Sequence, residues 1–397
     1  MSENNKQKSN DLDRRELLKG LATVPIFGLF LSQVWKKVRR DRLKKSNILS
    51  GLVQEKKSAP AIIKGLSDSK HLNIGIIGYG GRGGHLVRGA GFATTGWTNT
   101  VSENARKNKL DKQFKTFMDQ EDLNCSLVGV CDLFDVRAEQ GLDASQNEVR
   151  PGGKPKKTAK RYRHYKDLLA DDNIDAVIIA TPDHWHSRIT IDAAKAGKHV
   201  YCEKGLTRTF DETIEVYDAV KEAGITFQLG HQNRQVEANE KAKQIVQQGL
   251  LGTINLVELT TNRNSPWGAW VWDIHPKGNA QTIDWDTFQE PAPNKIPFGE
   301  EALKRFFRWR CWFDYGTGLS GDLLSHDFDA INQIMDLGIP KYSSSTGGIY
   351  FYKDGRDVPD VWNATFEYPD KDLTVLYSAS LSSNEARGNR IMGHDAT

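Results

Sequence analysis

The 397-residue chain is 38% hydrophobic and carries 54 basic against 51 acidic side chains, for a formal net charge of +3. That length suits two domains behind an N-terminal extension, with core enough for an enzyme, and a balance so near zero excludes a whole-molecule field that would gather nucleic acid. Cys125, Cys131, Cys202 and Cys311 show no CxxC spacing, which argues against a zinc cluster or a disulfide framework.

Residues 1–45 read as a signal-like and basic segment. Asp13-Arg14-Arg15-Glu16-Leu17-Leu18-Lys19 precedes an apolar run from Gly20 to Val34 and resembles a twin-arginine export signal. The run is too short to cross a membrane comfortably, so membrane contact is expected only through this segment. The expected location is periplasmic or membrane-associated, with a cytoplasmic protein bearing a basic amphipathic tail as the other reading. No small-x-small cleavage site follows; a basic stretch from Lys36 to Lys45 does. Residues 46–70 are polar, lack a steady period and read as a linker.

The first folded domain is expected over 71–235. Leu72 to Ile77 is a compact apolar strand, and Gly78-Tyr79-Gly80-Gly81-Arg82-Gly83 follows it directly before a segment able to start a helix. GxGxxG in that context is the phosphate-binding turn of a dinucleotide fold. Gly78 permits the tight turn, Gly80 admits a pyrophosphate to the backbone, Gly83 allows close helix packing, and the helix N-terminus offers N–H groups to the phosphates. About thirty polar residues, Phe92 to Asn124, read as an insertion before a strand from Ser126 to Cys131. Asp132 ends that strand, where a carboxylate accepts bonds from a ribose diol and repels a 2′-phosphate, so NAD is favoured over NADP. Arg150 to Arg163 reads as a solvated basic loop.

Ile174 to Thr181 is a continuous apolar strand, as a parallel strand covered on both faces should be. A helix from His186 to Ala196, a strand from Lys198 to Cys202, a helix from Phe210 to Ala223 and a strand from Thr226 to Gly230 complete the alternation of a doubly wound parallel sheet. Thr181-Pro182-Asp183-His184-Trp185-His186 and Tyr201-Cys202-Glu203-Lys204 close two of these strands at the carboxyl ends, where ligands bind. Thr181, Pro182, His186 and Glu203 are therefore candidate cofactor contacts. Desolvation beside a cationic nicotinamide lowers the proton affinity of an amine, which suits Lys204 to accept and return a carbinol proton. His231 and Arg234, after the last strand, are candidates for the pocket wall.

The second domain, 236–397, is expected to be α+β. Thr253 to Thr261, Ser343 to Tyr352, Val361 to Tyr368 and Asp372 to Leu381 read as strands of a largely antiparallel open sheet, with one helix from Leu319 to Met335. Asp322, His326 and Asp329 share one face of that helix by their spacing. A metal site from Asp322, His326 and His231 is possible by ligand type, yet no tight ligand motif supports it, and no metal is expected. Trp267, Trp270, Trp272, His275 and Trp285 suit stacking on a pyranose face as well as they suit a core. Phe306 to Phe313 reads as structural. The chain stops at Ile391 to Thr397 without a capping element, so the last strands of such a domain are expected to be missing.

Three motifs, TPDHWH at 181–186, AGKHVYCEK at 196–204 and GDLLSHDFD at 321–329, resemble those of the Gfo/Idh/MocA oxidoreductases, named for glucose-fructose oxidoreductase and inositol dehydrogenase. The resemblance runs from Asn73 to Tyr377. It implies a catalytic role for Lys204, substrate contacts from Asp322 and His326 with the histidine in proton transfer, a supporting role for Asp329, a sugar or polyol substrate and a homo-oligomer paired through the open sheet. Gly205 stands where that family usually has proline. The reading is an NAD-dependent oxidoreductase acting on a secondary hydroxyl; an NAD-retaining enzyme that cleaves a glycosidic bond by transient oxidation, and a non-catalytic sugar-binding or sensor protein, are the alternatives.

Overall fold

The computed structural model describes residues 71–147 and 158–397; the signal-like segment, the linker and most of the basic loop lie outside the described residues. Strand β1, Leu72–Ile77, is buried from Ile74 onward and ends in the glycine turn. The turn leads into helix α1, Gly81–Gly89. The polar insertion is helical: α2, Thr95–Lys107, is capped by the Thr94 side chain, and α3, Gln113–Met118, follows. Trp97 and Phe117 close the pair with their ring centroids 5.3 Å apart. Aromatics scattered through a polar stretch leave too little period for sequence to register.

Strand β2, Cys125–Cys131, leads to α4, Asp135–Ser145. The part of the supposed basic loop from residue 158 onward contains β3, Lys160–Tyr162, a three-residue edge strand, with α5, Tyr165–Leu169, after it. Strand β4, Ala176–Ile179, is shorter than its apolar run because Asp183–Trp185 already winds into a short 3-10 turn. Helix α6, His186–Lys195, strand β5, His199–Glu203, helix α7, Phe210–Ala223, and strand β6, Phe227–Gly230, follow in the expected order. The six strands pair in the order β3-β2-β1-β4-β5-β6, all parallel. The doubly wound sheet is therefore as the alternation predicted, and the glycine turn lies beside its central crevice.

Helix α8, Glu237–Gln247, and strand β7, Ile254–Asn262, open the second domain. The short helix α9, Trp285–Phe288, and α10, Glu300–Phe307, precede α11, Ser325–Met335, and Ser320–Leu324 ahead of α11 is wound as a π turn. Strands β8, Tyr342–Gly348, β9, Val361–Tyr368, β10, Leu373–Ser380, and β11, Arg390–Gly393, complete a sheet of order β11-β7-β10-β9-β8. Its neighbours are antiparallel except β7 and β10, which run parallel. One expected strand, Ser343 to Tyr352, is shortened here. The segment read as an uncapped end supplies β11 along the edge of β7. β8 stops at Gly348 because the buried Asp360 carboxylate accepts the N–H groups of Tyr350, Phe351 and Tyr352 at 2.7–2.8 Å, which takes those donors out of any ladder.

Apolar packing and hydrogen bonds tie the domains together at two places away from Lys204. Phe134, just past β2, is 1% exposed and belongs to the apolar core of the second domain, edge-on to Phe306 and Phe307. Backbone bonds from Asp135 to Thr282 and from Asp284 to Leu133, each 2.9 Å, stitch the same place. His184 and Trp185 both donate to the Phe288 carbonyl, at 2.7 and 3.0 Å. Replacing Phe134 by Ala is expected to cost about 3–5 kcal/mol, as for other buried phenylalanines. Urea denaturation followed by tryptophan fluorescence should show it, with the single transition splitting in two; a loss below about 1 kcal/mol would contradict the anchoring role.

Candidate functional site

The glycine turn is shaped by steric necessity. Gly78 has φ +89°, and a Cβ there would lie 2.8 Å from the Ala180 carbonyl. A Cβ on Gly83 would lie 2.0 Å from the Gly78 oxygen. Gly80 differs: a Cβ would meet only the Arg137 guanidinium, at 3.7 Å, and would project into a cavity of about 790 Å³. No protein atom requires glycine at that position, so the open space is what a ligand backbone approach would use. The N-terminus of α1 has no side-chain cap and no acidic residue in its first turn, which leaves its donors and dipole for an anion. These features fit the pyrophosphate of a dinucleotide.

Asp132 lines the same cavity and its carboxylate accepts the N–H groups of Tyr79 at 2.6 Å and Phe134 at 2.8 Å. Burial raises its proton affinity, opposed by the charge of Arg137 and by those two bonds. Each oxygen keeps a second lone pair for a ribose diol. Tyr79 is corrected from a cofactor contact to a core residue: its ring is buried among the apolar side chains beneath the turn, and its N–H is spent on Asp132. Arg82 lines the cavity and pairs with Glu203 at 2.7 Å, tying the glycine turn to the end of β5.

Lys204 follows β5 and is 9% exposed. Its Nζ donates to the Asp322 backbone oxygen at 2.9 Å and to Asp322 Oδ1 at 2.5 Å. Asp322 also accepts from Arg310 Nε at 3.0 Å. Burial alone would raise the Asp322 carboxyl, but the charges of Arg310 and Lys204 and their hydrogen bonds outweigh it and hold the group well below the usual carboxylate range. The backbone beyond the lysine is fixed by His186, whose ring nitrogens face the Gly205 carbonyl at 2.9 Å and the Thr181 carbonyl at 2.7 Å. Gly205 itself sits under Thr317, where a Cβ would come within 3.1 Å of Oγ1.

Lys204, Asp322, Glu203, Thr181, Pro182, His186 and Trp267 all line the one cavity with Gly78, Gly80, Gly81, Arg82 and Asp132. His231, Arg234 and His326 are not among its lining residues. Arg234 and His231 gather instead around Asp329, which takes Arg234 through two guanidinium nitrogens at 2.7–3.0 Å and lies 3.2 Å from His231 Nδ1, while the His326 ring centroid lies 6.1 Å from that of His231. Ser320–Leu324, which holds Asp322, is wound as a π turn, and Asp322 lines the cavity whereas His326 does not. His326 still feels the cavity's charges: burial first, then the Lys204 ammonium, lowers it to about 4. Among the indoles, Trp267 and Trp272 are 64% and 44% exposed, whereas Trp285 is a core residue bonded to the Ile296 carbonyl. Among the described residues no group of three or more His, Cys, Asp or Glu could hold a metal ion.

Arg310 was not legible as a site residue. It lies in the stretch read as structural, yet its guanidinium lies over the Trp309 ring, 4.1 Å from the centroid, and lines the cavity beside Asp322. No local motif marks it, because its partner Asp322 lies 12 residues on, in the turn preceding α11.

Residues 72–231 match the profile of the GFO_IDH_MocA oxidoreductase family, NAD-binding Rossmann fold. Levoglucosan dehydrogenase of Pseudarthrobacter phenanthrenivorans is 28% identical over 194 residues, 46% of this chain and 41% of that protein. Myo-inositol 2-dehydrogenase of Thermotoga maritima is 29% identical over 125 residues, 31% of this chain and 37% of that protein. The chain thus spans less than half the length of these curated relatives. Among solved structures, levoglucosan dehydrogenase in complex with NADH and levoglucosan superposes with a TM-score of 0.53 at 21% identity, covering 80% or more of this chain, namely 82%, and 71% of the other. The WlbA dehydrogenase of Bordetella pertussis in complex with NADH and UDP-GlcNAcA gives 0.54 at 17% identity, covering 82% and 78%. At such identities the likeness is one of fold.

Two outcomes are expected. Gly80→Ala should fold normally and lose NADH affinity by tenfold or more, roughly the effect of a misplaced charged hydrogen-bond cradle, whereas Gly83→Ala should lower the melting temperature as well; NADH fluorescence titration and thermal melts separate them. The second concerns pH. Burial, the largest cause for both, lowers His184 to about 3 and His326 to about 4 from an ordinary 6.5. As pH drops from 6.5 toward 4, the unfolded chain therefore binds protons that the folded one does not, and stability falls through that window. His326→Asn should flatten the fall in melting temperature; an unchanged slope would remove His326 as a cause.

Proposed function

We propose that this chain, whose residues 72–231 are the NAD-binding Rossmann domain of the Gfo/Idh/MocA oxidoreductase family, oxidises a secondary hydroxyl of a sugar or polyol. When bound, NAD supplies the two-electron acceptor. The residues of the chain handle the proton and the geometry.

The observation that carries the reading is the valence of Lys204 Nζ. Two of its three donor directions go to the Asp322 carbonyl and carboxylate, and the remaining one is available to the cavity that the lysine lines together with the glycine turn. In its neutral amine form Nζ keeps two N–H bonds to Asp322 and turns its lone pair to the cavity, where it accepts the proton of a substrate hydroxyl and becomes the ammonium. Arg310 keeps Asp322 in place as the proton moves. Trp267 and Trp272 offer flat apolar faces for a pyranose ring. The names of the relatives, a levoglucosan and a myo-inositol dehydrogenase, agree with a polyhydroxylated substrate.

Lys204→Ala is expected to lower kcat by about 10²–10⁴ while leaving NADH affinity within a few-fold, the range for loss of a general acid–base group. Steady-state reduction of NAD over a panel of pyranoses and polyols measures it. Equal turnover by wild type and variant would refute the role of the lysine, and no turnover of any polyhydroxylated compound would refute the reaction.

A further inference from the structure

Two guanidinium groups on the second-domain wall of the cavity carry N–H donors that the hydroxyl chemistry does not use. Arg263, one residue beyond β7, lines the cavity, and its side chain has no ion-pair or hydrogen-bond partner among the described residues. Arg310 spends only Nε on Asp322, which leaves its terminal nitrogens without a partner among the described residues, while Trp309 lies under its guanidinium.

The cavity's own anions are otherwise engaged. Glu203 is paired with Arg82, Asp322 is shared by Lys204 and Arg310, and Asp183 accepts the N–H and hydroxyl of Thr317 at 3.0 and 2.5 Å. Asp273 is exposed on the same wall and within ion-pair distance of neither arginine. Arg310 has Asp322 as its counter-charge, whereas the half-buried Arg263 has no carboxylate partner among the described residues and carries an uncompensated desolvation cost. Their planar donor fork matches a carboxylate in two parallel bonds. The exposed indoles of Trp267 and Trp272 stand on the same wall, so ring stacking and anion recognition can act on one molecule.

We propose that Arg263, with Arg310 beside it, binds the carboxylate of an acidic sugar, so that the substrate class is a uronate rather than a neutral sugar. The proposal rests on the oxidoreductase reading for its consequence, but the binding site is testable by itself.

The experiment titrates the full chain loaded with NADH calorimetrically with D-glucuronate, D-galacturonate, D-glucose and D-glucose 6-phosphate, for wild type, Arg263→Met and Arg263→Lys. One uronate is expected to bind at least tenfold tighter than glucose, and Arg263→Met to weaken it by about 10- to 100-fold, the usual effect of losing a hydrogen bond to a charged group. Glucose and NADH affinities should stay within twofold, and Arg263→Lys should retain part of the preference. Should Arg263→Met fail to hold NADH, the lysine variant carries the test, with a several-fold loss expected on the uronate alone. Glucose binding as tightly as both uronates, the sugar phosphate binding tighter than either, or a uronate preference that survives both variants would overturn the proposal. Arg263-dependent uronate binding without NADH formation from NAD-loaded protein keeps the anion site and refutes the oxidoreductase reading; oxidation of neutral sugars with no uronate preference does the reverse.

Discussion

The buried pair of Lys204 and Asp322 is the interaction on which the site depends. It joins the end of a Rossmann strand to the π turn of the second domain, across 118 residues of chain. An ammonium and a carboxylate removed from water cost more than they return unless their remaining valences are satisfied. Here they are met by the Asp322 carbonyl and by Arg310, whose guanidinium is held in place by Trp309. The pair therefore fixes Lys204 in position and also fixes how close the two domains must come.

That closeness is enforced by apolar and hydrogen-bonded contacts along the cavity's own wall. Phe134 leaves the Rossmann sheet to fill the core of the second domain, and His184 and Trp185 share the Phe288 carbonyl. A histidine in the TPDHWH motif is thus an interdomain fastener, kept neutral by burial. The cavity lies between the two sets of contacts, with the glycine turn at one end and the tryptophan and arginine wall at the other. Rigid packing on both sides lets a small number of polar groups stay in register.

The features legible in the sequence were those whose reason is local. The glycine turn, the apolar parallel strands and the boundaries of the helix at Phe210–Ala223 follow from backbone sterics, from burial on both faces and from a threonine cap with a terminal glycine at φ +63°. The lysine after Glu203 was legible because strand ends collect ligands in such sheets. The helices of the insertion and the three-residue β3 were not, since they take their stability from neighbours instead of from a period of their own.

The sequence by itself determined the dinucleotide fold, the chemistry at the carboxyl ends of its strands and the presence of an Asp/His helix opposite them. Only the tertiary structure decided which of those polar residues meet. Asp322 meets the lysine, His326 lies beside His231, and Arg234 is drawn to Asp329. Arg310 and Arg263 acquire their place from the same assembly, because a cavity between two domains is lined by residues whose neighbours in space are remote in the chain.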